Sequence, residues 1–275
     1  MADAKPALQR ELVARGLAAR EARWLVDEFY LGADPDALVG LEGAVTRRLA
    51  GEPLQYVIGH WPFRSLDLDV DPRVLIPRPE TEELVTHALG ELAALDVTTP
   101  LIVDLGCGSG AIGLALLDEL TKRGVRASVV ALDVSTDALA VAKRNALKHG
   151  LHQISFVQSS WFDDLDPSLR GRVDLVVANP PYVGAREFAS LDEVLRYEPY
   201  GAIVADDVDG VEGFADVARV IRESGPWLAE HAAVVVEHGE GHGVAARQLA
   251  ESAGFVHVRD EKDLAGKDRV VVARR

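Results

Sequence analysis

The chain of 275 residues, 48% apolar and 27% charged with 24 glycines and 13 prolines, has an ordinary globular composition that excludes the disordered, collagen-like and coiled-coil classes. At this length roughly three quarters of the unfolded surface can be buried, so no disulfide or metal staple is needed. Its 29 Lys and Arg against 44 Asp and Glu leave a net charge of −15, a field that repels phosphate backbones and argues against direct nucleic-acid binding.

The opening residues, Met1 to Glu11, lack the apolar stretch of a signal peptide, and no segment approaches the roughly 18 consecutive apolar residues of a membrane span. A cytoplasmic chain without membrane contact is expected. Residues 7–50 are rich in Ala, Leu, Glu and Arg, with Leu8, Leu12, Trp24, Leu25, Phe29, Leu38, Leu41, Val45 and Leu49 at helical spacings. Breaks at Gly16 and at Gly32-Ala33-Asp34-Pro35 predict a small bundle of about three helices, with Trp24 in its core. From Gly51 the period becomes two: Leu66, Leu68 and Val70 alternate with Asp67 and Asp69, punctuated by Pro62 and Pro72. That pattern predicts a hairpin. The expected organisation is a helical domain over 1–50, a β-hairpin linker over 51–75 and a larger domain over 76–275.

Beyond residue 80 short apolar runs alternate with helical stretches. Strands are predicted at 101–105, 129–133, 154–157, 173–177 and 233–236, and helices at about 110–122, 136–149 and 211–224. Strands that are apolar throughout, with helices between them, imply an α/β fold whose mostly parallel sheet is covered on both faces. The last two runs, 255–260 and 269–273, are separated by too short a loop for a helical crossover, so the closing pair is expected to be antiparallel.

Asp104-Leu105-Gly106-Cys107-Gly108-Ser109-Gly110 ends the first strand of this sheet and opens a helix. Its glycines let the backbone approach a ligand, and the helix start offers unpaired N–H groups. Asp133 closes the next strand, where a carboxylate can accept from both hydroxyls of a ribose. Two cofactors fit. Gly108-Ser109-Gly110-Ala111-Ile112-Gly113, with Asp133 downstream, matches a dinucleotide fingerprint; an acidic residue, an apolar one and Gly-x-Gly-x-Gly match the usual loop for S-adenosylmethionine, which also gives Asp104 a place.

Val173 to Ala178 runs into Asn179-Pro180-Pro181-Tyr182 at the sheet edge where ligands of open α/β folds bind. Two prolines fix the backbone and remove two N–H donors, leaving bare carbonyls beside the Asn179 amide oxygen. Such a cluster of acceptors suits a planar NH2 group, and Tyr182 adds a face for it to stack on. An amide or aniline-like nitrogen is a poor nucleophile. If Asn179 Oδ1 and the Pro180 carbonyl each accept one N–H, its lone pair can be aimed at a sulfonium methyl, and positive charge growing on nitrogen is stabilised. The acceptors favour S-adenosylmethionine over a nicotinamide cofactor.

The Gly loop, Asn179-Pro180-Pro181-Tyr182 and Leu75-Ile76-Pro77-Arg78-Pro79-Glu80-Thr81-Glu82 together resemble the HemK/PrmC family of protein-glutamine methyltransferases, as do 51–59 and 262–269. The resemblance implies a class I S-adenosylmethionine-dependent methyltransferase domain with a Rossmann-like sheet and antiparallel last strand, preceded by a small all-α domain and the hairpin. It implies methylation of the glutamine in the Gly-Gly-Gln segment of class 1 peptide chain release factors, with S-adenosylhomocysteine as product, by a monomer whose N-terminal helices help bind the release factor. Carried over by position, Gly106, Gly108 and Gly110 belong to the methionine end of the cofactor, Asp133 to its ribose and Trp161 to its adenine. Asp104, Cys107, Ser109, Val134, Ser160 and Asn179 complete the cofactor set. Asn179, Pro180, Pro181 and Tyr182 would hold the glutamine, with Asn179, Pro180 and Tyr182 catalytic, and Arg78, Pro79 and Glu80 would wall the site. The family places an acid before the tryptophan where this chain has Ser160, so weaker cofactor binding is implied. The segment 198–202 is looser than the family's. Asparagine followed by Pro-Pro-Tyr is shared with adenine-N6 DNA methyltransferases, which leaves methylation of an exocyclic adenine amine as the alternative.

Other signals carry less. His238, Glu240 and His242 lack a Cys partner or a helical His pair, so a Gly-rich turn with solvated histidines is expected rather than a metal site. The acidic runs 163–166 and 206–209 lack calcium-loop spacing and are read as solvated turns. Cys107 has no evident base beside it and is assigned to packing.

Overall fold

The computed structural model describes residues 4–30, 35–95 and 97–275. Three helices come first, α1 (Ala4–Ala14), α2 (Ala19–Phe29) and α3 (Pro35–Leu49). Gly16, at φ +109°, makes the first break, a conformation that favours glycine. The second break, at 32–34, lies outside the described residues, and Pro35 opens α3, where its missing N–H leaves nothing unpaired. Leu12, Leu25, Leu41 and Val45 form the bundle core with Leu8 and Phe29 packed against it, whereas Leu38 and Leu49 are exposed. Trp24 sits at the edge of this core, edge-to-face with Trp61 at 4.8 Å between ring centres.

The stretch 51–75 is more than a hairpin. A short helix, α4 (Leu54–Ile58), precedes β1 (His60–Phe63) and β2 (Leu66–Asp69). This corrects the expectation that period two starts at Gly51: one helical turn is too short to show a period, and Pro53 caps it. Leu54 and Val57 belong to the bundle core, while Tyr56 packs with Val70, Val74 and Ile76 and donates to the Val74 carbonyl at 2.5 Å. The hairpin turn is bolted onto the helices behind it. Arg64 donates to Glu119, the Glu82 carbonyl and Thr86.

The rest is an α/β layer: α5 (Thr81–Leu95), β3 (Leu101–Leu105), α6 (Ala111–Lys122), β4 (Ser128–Asp133), α7 (Thr136–Lys148), β5 (Ile154–Gln158), β6 (Val173–Ala178), α8 (Ala185–Phe188), α9 (Ala215–Ser224), β7 (Leu228–Glu237), α10 (Gly243–Ser252), β8 (Val256–Lys262) and β9 (Asp268–Arg274). The sheet order is β5-β4-β3-β6-β7-β9-β8. Strands β3 to β7 pair in parallel, and β9 lies antiparallel between β7 and β8, as the short final connection requires. Alternation divides each strand between two cores: Leu175, Val177, Ala233 and Val235 face the layer containing α5 and α6, and Val176, Ala178, Val234 and Val236 face the layer containing α9 and α10. The chain passes from β3 outward to β4 and β5, then returns to β6 on the other side of β3. A crevice opens at such a reversal, beyond the carboxyl ends of the strands. In register, Leu105 pairs with both Leu132 and Ala178, so the next residue in each chain segment, Gly106, Asp133 and Asn179, lies at one edge.

Candidate active site

Two cavities share that edge. One, of about 330 Å³, is lined by Gly106, Gly108, Asp133, Val134, Ser160, Trp161 and Asn179 among others. The second, of about 220 Å³, is lined by Arg78, Asn179, Pro180, Pro181 and Tyr182, closed by Leu75, Leu191, Leu195 and Ile203. Asn179 is on the wall of both.

The larger cavity rests on a loop tied down from behind. Gly106 and Gly108 have φ of +68° and +53°, so a side chain at either would strain the turn. The Gly108 N–H donates to Asp133 Oδ2 at 2.9 Å and the Ser135 N–H to Asp133 Oδ1 at 2.9 Å. Each carboxylate oxygen keeps a lone pair for a ligand hydroxyl. Burial raises the Asp133 pKa, partly offset by these two amides. Trp161 adopts φ +53°, an unusual conformation for a bulky residue that costs about 1–3 kcal/mol. In exchange its ring lies over Gly106, where a Cβ would stand only 3.5 Å away. Its indole Nε1 donates to Asp216 Oδ1 at 3.1 Å, and Asp216 also lines the cavity, its pKa raised by burial.

Four residues assigned to the cofactor do not reach this wall. Asp104, Cys107, Ser109 and Gly110 are buried behind the loop. Asp104 Oδ2 accepts from the Gly113 N–H at 2.9 Å, and its Oδ1 is buried without a partner. Burial, with Asp133 nearby, pushes its pKa up to about 7. Asn145 donates to the Ser109 carbonyl at 2.9 Å and to that of Asp69 at 3.0 Å, joining loop to hairpin. Burial pushes the Cys107 thiol up, which suits packing, not nucleophilic attack. Ser160 does reach the wall, but its oxygen accepts from Arg219 at 3.0 Å.

The smaller cavity is built from side chains that are far apart in sequence. Asn179 Nδ2 donates to Thr81 Oγ1 at 3.1 Å. Thr81 Oγ1 donates to Glu237 Oε2 at 2.7 Å, and Tyr182 Oη donates to Glu237 Oε1 at 3.1 Å. Glu237 is fully buried; desolvation raises its pKa, against the pull of the two hydroxyls and Arg269. Burial and the neighbouring Glu237 raise the Tyr182 pKa too. The Arg269 guanidinium lies 6.0 Å from the Tyr182 ring centre. Among the described residues, neither Asn179 Oδ1 nor the Pro180 carbonyl accepts a hydrogen bond, so both remain available to a ligand. Arg78 pairs with buried Glu198 at 2.6 Å, and Glu198 also accepts from the Ile76 N–H at 2.9 Å, which clamps 76–78 onto the segment beyond α8. Glu80 is exposed and lines neither cavity.

Thr81, Glu237 and Asp216 were not singled out by sequence. Glu237 carried a usable signal, a lone charge closing the apolar run 233–236 at the ligand-binding edge of the sheet. The histidines behind it are not solvated. His238 is buried between Asp260 at 3.2 Å and the Gly239 carbonyl at 2.8 Å, and His242 is buried against Phe214 with its Nε2 2.8 Å from the Glu212 carbonyl. The β8–β9 hairpin covers this turn, a tertiary effect that its Gly-rich composition conceals.

Residues 101–238 match a family described as a methyltransferase domain. The chain is 36% identical over 251 residues to the release factor glutamine methyltransferase of Aliivibrio fischeri, covering 89% of this chain and 84% of that one. With the release factor glutamine methyltransferase of Vibrio cholerae it shares 35% identity over 270 residues, covering 98% and 90%. It belongs to the release factor glutamine methyltransferase family. A crystal structure of a methyltransferase from Pyrococcus furiosus, 13% identical, shares the fold at a TM-score of 0.52, covering 85% of this chain and 98% of that one. Family membership makes the chain an S-adenosylmethionine-dependent methyltransferase.

The larger cavity fits that ligand. Its volume of about 330 Å³ falls within the roughly 300–1,000 Å³ of small-molecule sites. Asp133 offers two carboxylate oxygens at a strand end, Trp161 offers an aromatic ring, and two glycines at positive φ leave the backbone bare between them. Acceptors of this kind suit a ribose, and a flat apolar ring suits a base.

Proposed function

We propose that this enzyme methylates the side-chain amide nitrogen of the glutamine in the Gly-Gly-Gln segment of class 1 peptide chain release factors. The observation that carries the reading is Asn179, which lines both cavities and has its amide oxygen free. Gly106, Gly108, Asp133, Val134, Ser160, Trp161 and Asp216 would hold S-adenosylmethionine in the larger cavity. The glutamine would enter the smaller one. Ser160 is engaged by Arg219, so the carboxylate offered to the adenine amino group is that of Asp216.

When bound, S-adenosylmethionine supplies an electrophilic methyl group on sulfur. The chain's own task is to hold the nucleophile. Asn179 Oδ1 and the Pro180 carbonyl each accept one amide N–H, which fixes the plane of the amide and turns the nitrogen lone pair toward the first cavity. Pro180 and Pro181 carry no N–H, so no backbone donor there competes for the substrate's hydrogen bonds. Positioning of this kind supplies up to about 7–11 kcal/mol of barrier reduction. The same two acceptors stabilise positive charge as it grows on nitrogen, electrostatic preorganisation with the sign opposite to an oxyanion hole. The nitrogen gains a methyl and releases one proton to water; the methylated, cationic nitrogen is acidic, so no strong base is required. Tyr182 supplies a ring against the amide plane, steadied by its bond to Glu237.

The N-terminal bundle over 1–50 would contact the body of the release factor and the hairpin region over 51–75 would join it to the catalytic domain over 76–275, the chain acting as a cytoplasmic monomer. No helix among the described residues is long and apolar enough to cross a membrane. An exocyclic adenine amine would suit the same acceptors, but the net charge of −15 opposes a polyphosphate substrate. Incubation with a release factor and methyl-labelled S-adenosylmethionine, followed by mass spectrometry, tests the assignment. A single methyl on the Gly-Gly-Gln glutamine is expected; label elsewhere, or none, rejects it.

A further inference from the structure

The amide of Asn179 works only one way round. With Oδ1 toward the smaller cavity it accepts from a glutamine NH2; turned over, it would present its own NH2 and suit a carboxylate or carbonyl oxygen instead. Nothing in the asparagine itself distinguishes these states, because its oxygen and nitrogen have nearly the same shape. The distinction comes from behind. The two hydroxyl donors and nearby Arg269 favour the ionised form of Glu237 against desolvation, and as a carboxylate it can only accept. It takes the single hydroxyl hydrogen of Thr81 at 2.7 Å and that of Tyr182 at 3.1 Å. Having given its hydrogen away, Thr81 Oγ1 can only accept from Asn179, at 3.1 Å, and an acceptor there forces Nδ2 inward and Oδ1 outward. The buried end of the relay is fixed by Glu237, at 0% exposure, with Thr81 at 3%.

Resting on the proposed glutamine reaction, we propose that Thr81 is a positioning residue: oriented by Glu237, it fixes the polarity of the Asn179 amide and thereby selects glutamine over glutamate. Reversal would leave two acceptors or two donors facing each other, and a site whose polar groups are set for one partner rejects the mismatched one strongly. The fold explains the placement. Glu237 follows Val235 on the sheet face covered by α5, and Thr81 is the first residue of that helix. A helix start and a strand end, distant in sequence, thus set one side chain between two cavities.

The test uses the full chain with S-adenosylhomocysteine and two short peptides, one carrying Gly-Gly-Gln and one Gly-Gly-Glu. Wild type should bind the glutamine peptide about a hundredfold more tightly. Thr81→Val keeps the shape but removes the hydroxyl. It should compress that ratio at least tenfold and lower kcat ten- to a hundredfold, with S-adenosylhomocysteine affinity unchanged within about twofold. Thr81→Ser restores the hydroxyl and should return both quantities to within about threefold of wild type. An unchanged ratio in Thr81→Val, or a Thr81→Ser variant as poor as it, overturns the proposal. NMR of the Asn179 side-chain amide gives an independent reading. In wild type the proton directed at Thr81 should be shifted downfield and exchange slowly; both protons at the shifts of a free asparagine amide, each exchanging fast, overturn the proposal, whatever Thr81→Val does. A wild type with that signature that fails to methylate the glutamine peptide removes the functional reading and leaves the lock standing.

Discussion

The two cavities that meet at Asn179 are built in opposite ways. The larger is mostly backbone: glycines at positive φ, a turn tied to Asp133 through two N–H bonds, and a strained tryptophan laid over the loop. Its parts come from the ends of neighbouring strands, so local sequence suffices to build it. The smaller has Asn179 and Tyr182 on its wall, held from behind by a relay of side chains from the start of α5 and the end of β7. Removing one member of the relay leaves others buried and unpaired, which is costly. A general ligand can be held by a backbone cradle, whereas discrimination between NH2 and oxygen needs a donor–acceptor pattern that only correctly turned side chains provide.

The sharpest way to break this contrast is Asn179→Ala. Loss of the acceptor should lower kcat for peptide methylation by about a hundred- to a thousandfold, while calorimetry shows S-adenosylhomocysteine affinity falling less than about tenfold. Equal losses in both would mean that the cavities do not divide the work.

Next in size is a stability effect confined to the loop side. Asp104 is buried with one oxygen unpartnered and its pKa pushed up to about 7, from an ordinary value of 3.8. Between those values the unfolded chain releases the proton and the folded chain retains it, so stability falls as pH rises through the window of about 4 to 7. Asp104→Asn cannot titrate. Relative to wild type it should therefore gain about 3 kcal/mol in unfolding free energy between pH 4 and pH 7, read from denaturant midpoints at each pH. A difference between the two proteins that does not vary with pH contradicts the burial argument.

Asp133→Asn tests the cradle more gently. It replaces one acceptor by a donor facing the Gly108 or Ser135 N–H and removes the charge. A ten- to hundredfold weaker Kd for S-adenosylhomocysteine is expected, from a loss of about 1.5–3 kcal/mol, with the KM for peptide unchanged within about twofold. A rise in the peptide KM as large as the loss of cofactor affinity would erase the division between the cavities.

What could be read from the sequence follows the same division. Gly106, Gly108, Asp133 and Asn179 announce themselves because each sits at or within three residues of the carboxyl end of an apolar strand, and strand order brings those ends together. The parallel sheet with its antiparallel final strand was legible for a related reason: apolar runs and the lengths between them constrain the connections. Thr81 and Glu237 were not legible as partners, since pairing the start of a helix with the end of a strand depends on how α5 lies across the sheet. His238 and His242 were misread because the hairpin that buries them lies beyond the Gly-rich turn, and α4 escaped notice because one turn of helix shows no period.

A third region sharpens the comparison by touching neither cavity. The N-terminal bundle meets the rest of the chain through the edge-to-face contact of Trp24 and Trp61, with Arg20 stacked on Trp24 at 4.6 Å, and through Tyr197, which donates to the Ala50 carbonyl at 3.0 Å. A double-mutant cycle of Trp24→Ala and Trp61→Ala should give a coupling of about 1 kcal/mol in unfolding free energy. The proposed roles, with the bundle aligning the body of the release factor and the cavities handling its glutamine, lead to a further expectation. Trp61→Ala should raise the KM for an intact release factor by only a few fold and leave the KM for a short Gly-Gly-Gln peptide unchanged. If the peptide KM rises equally, the hairpin acts through the Asn145 bonds to Asp69 and Ser109 and supports the cofactor loop, not the orientation of the bundle.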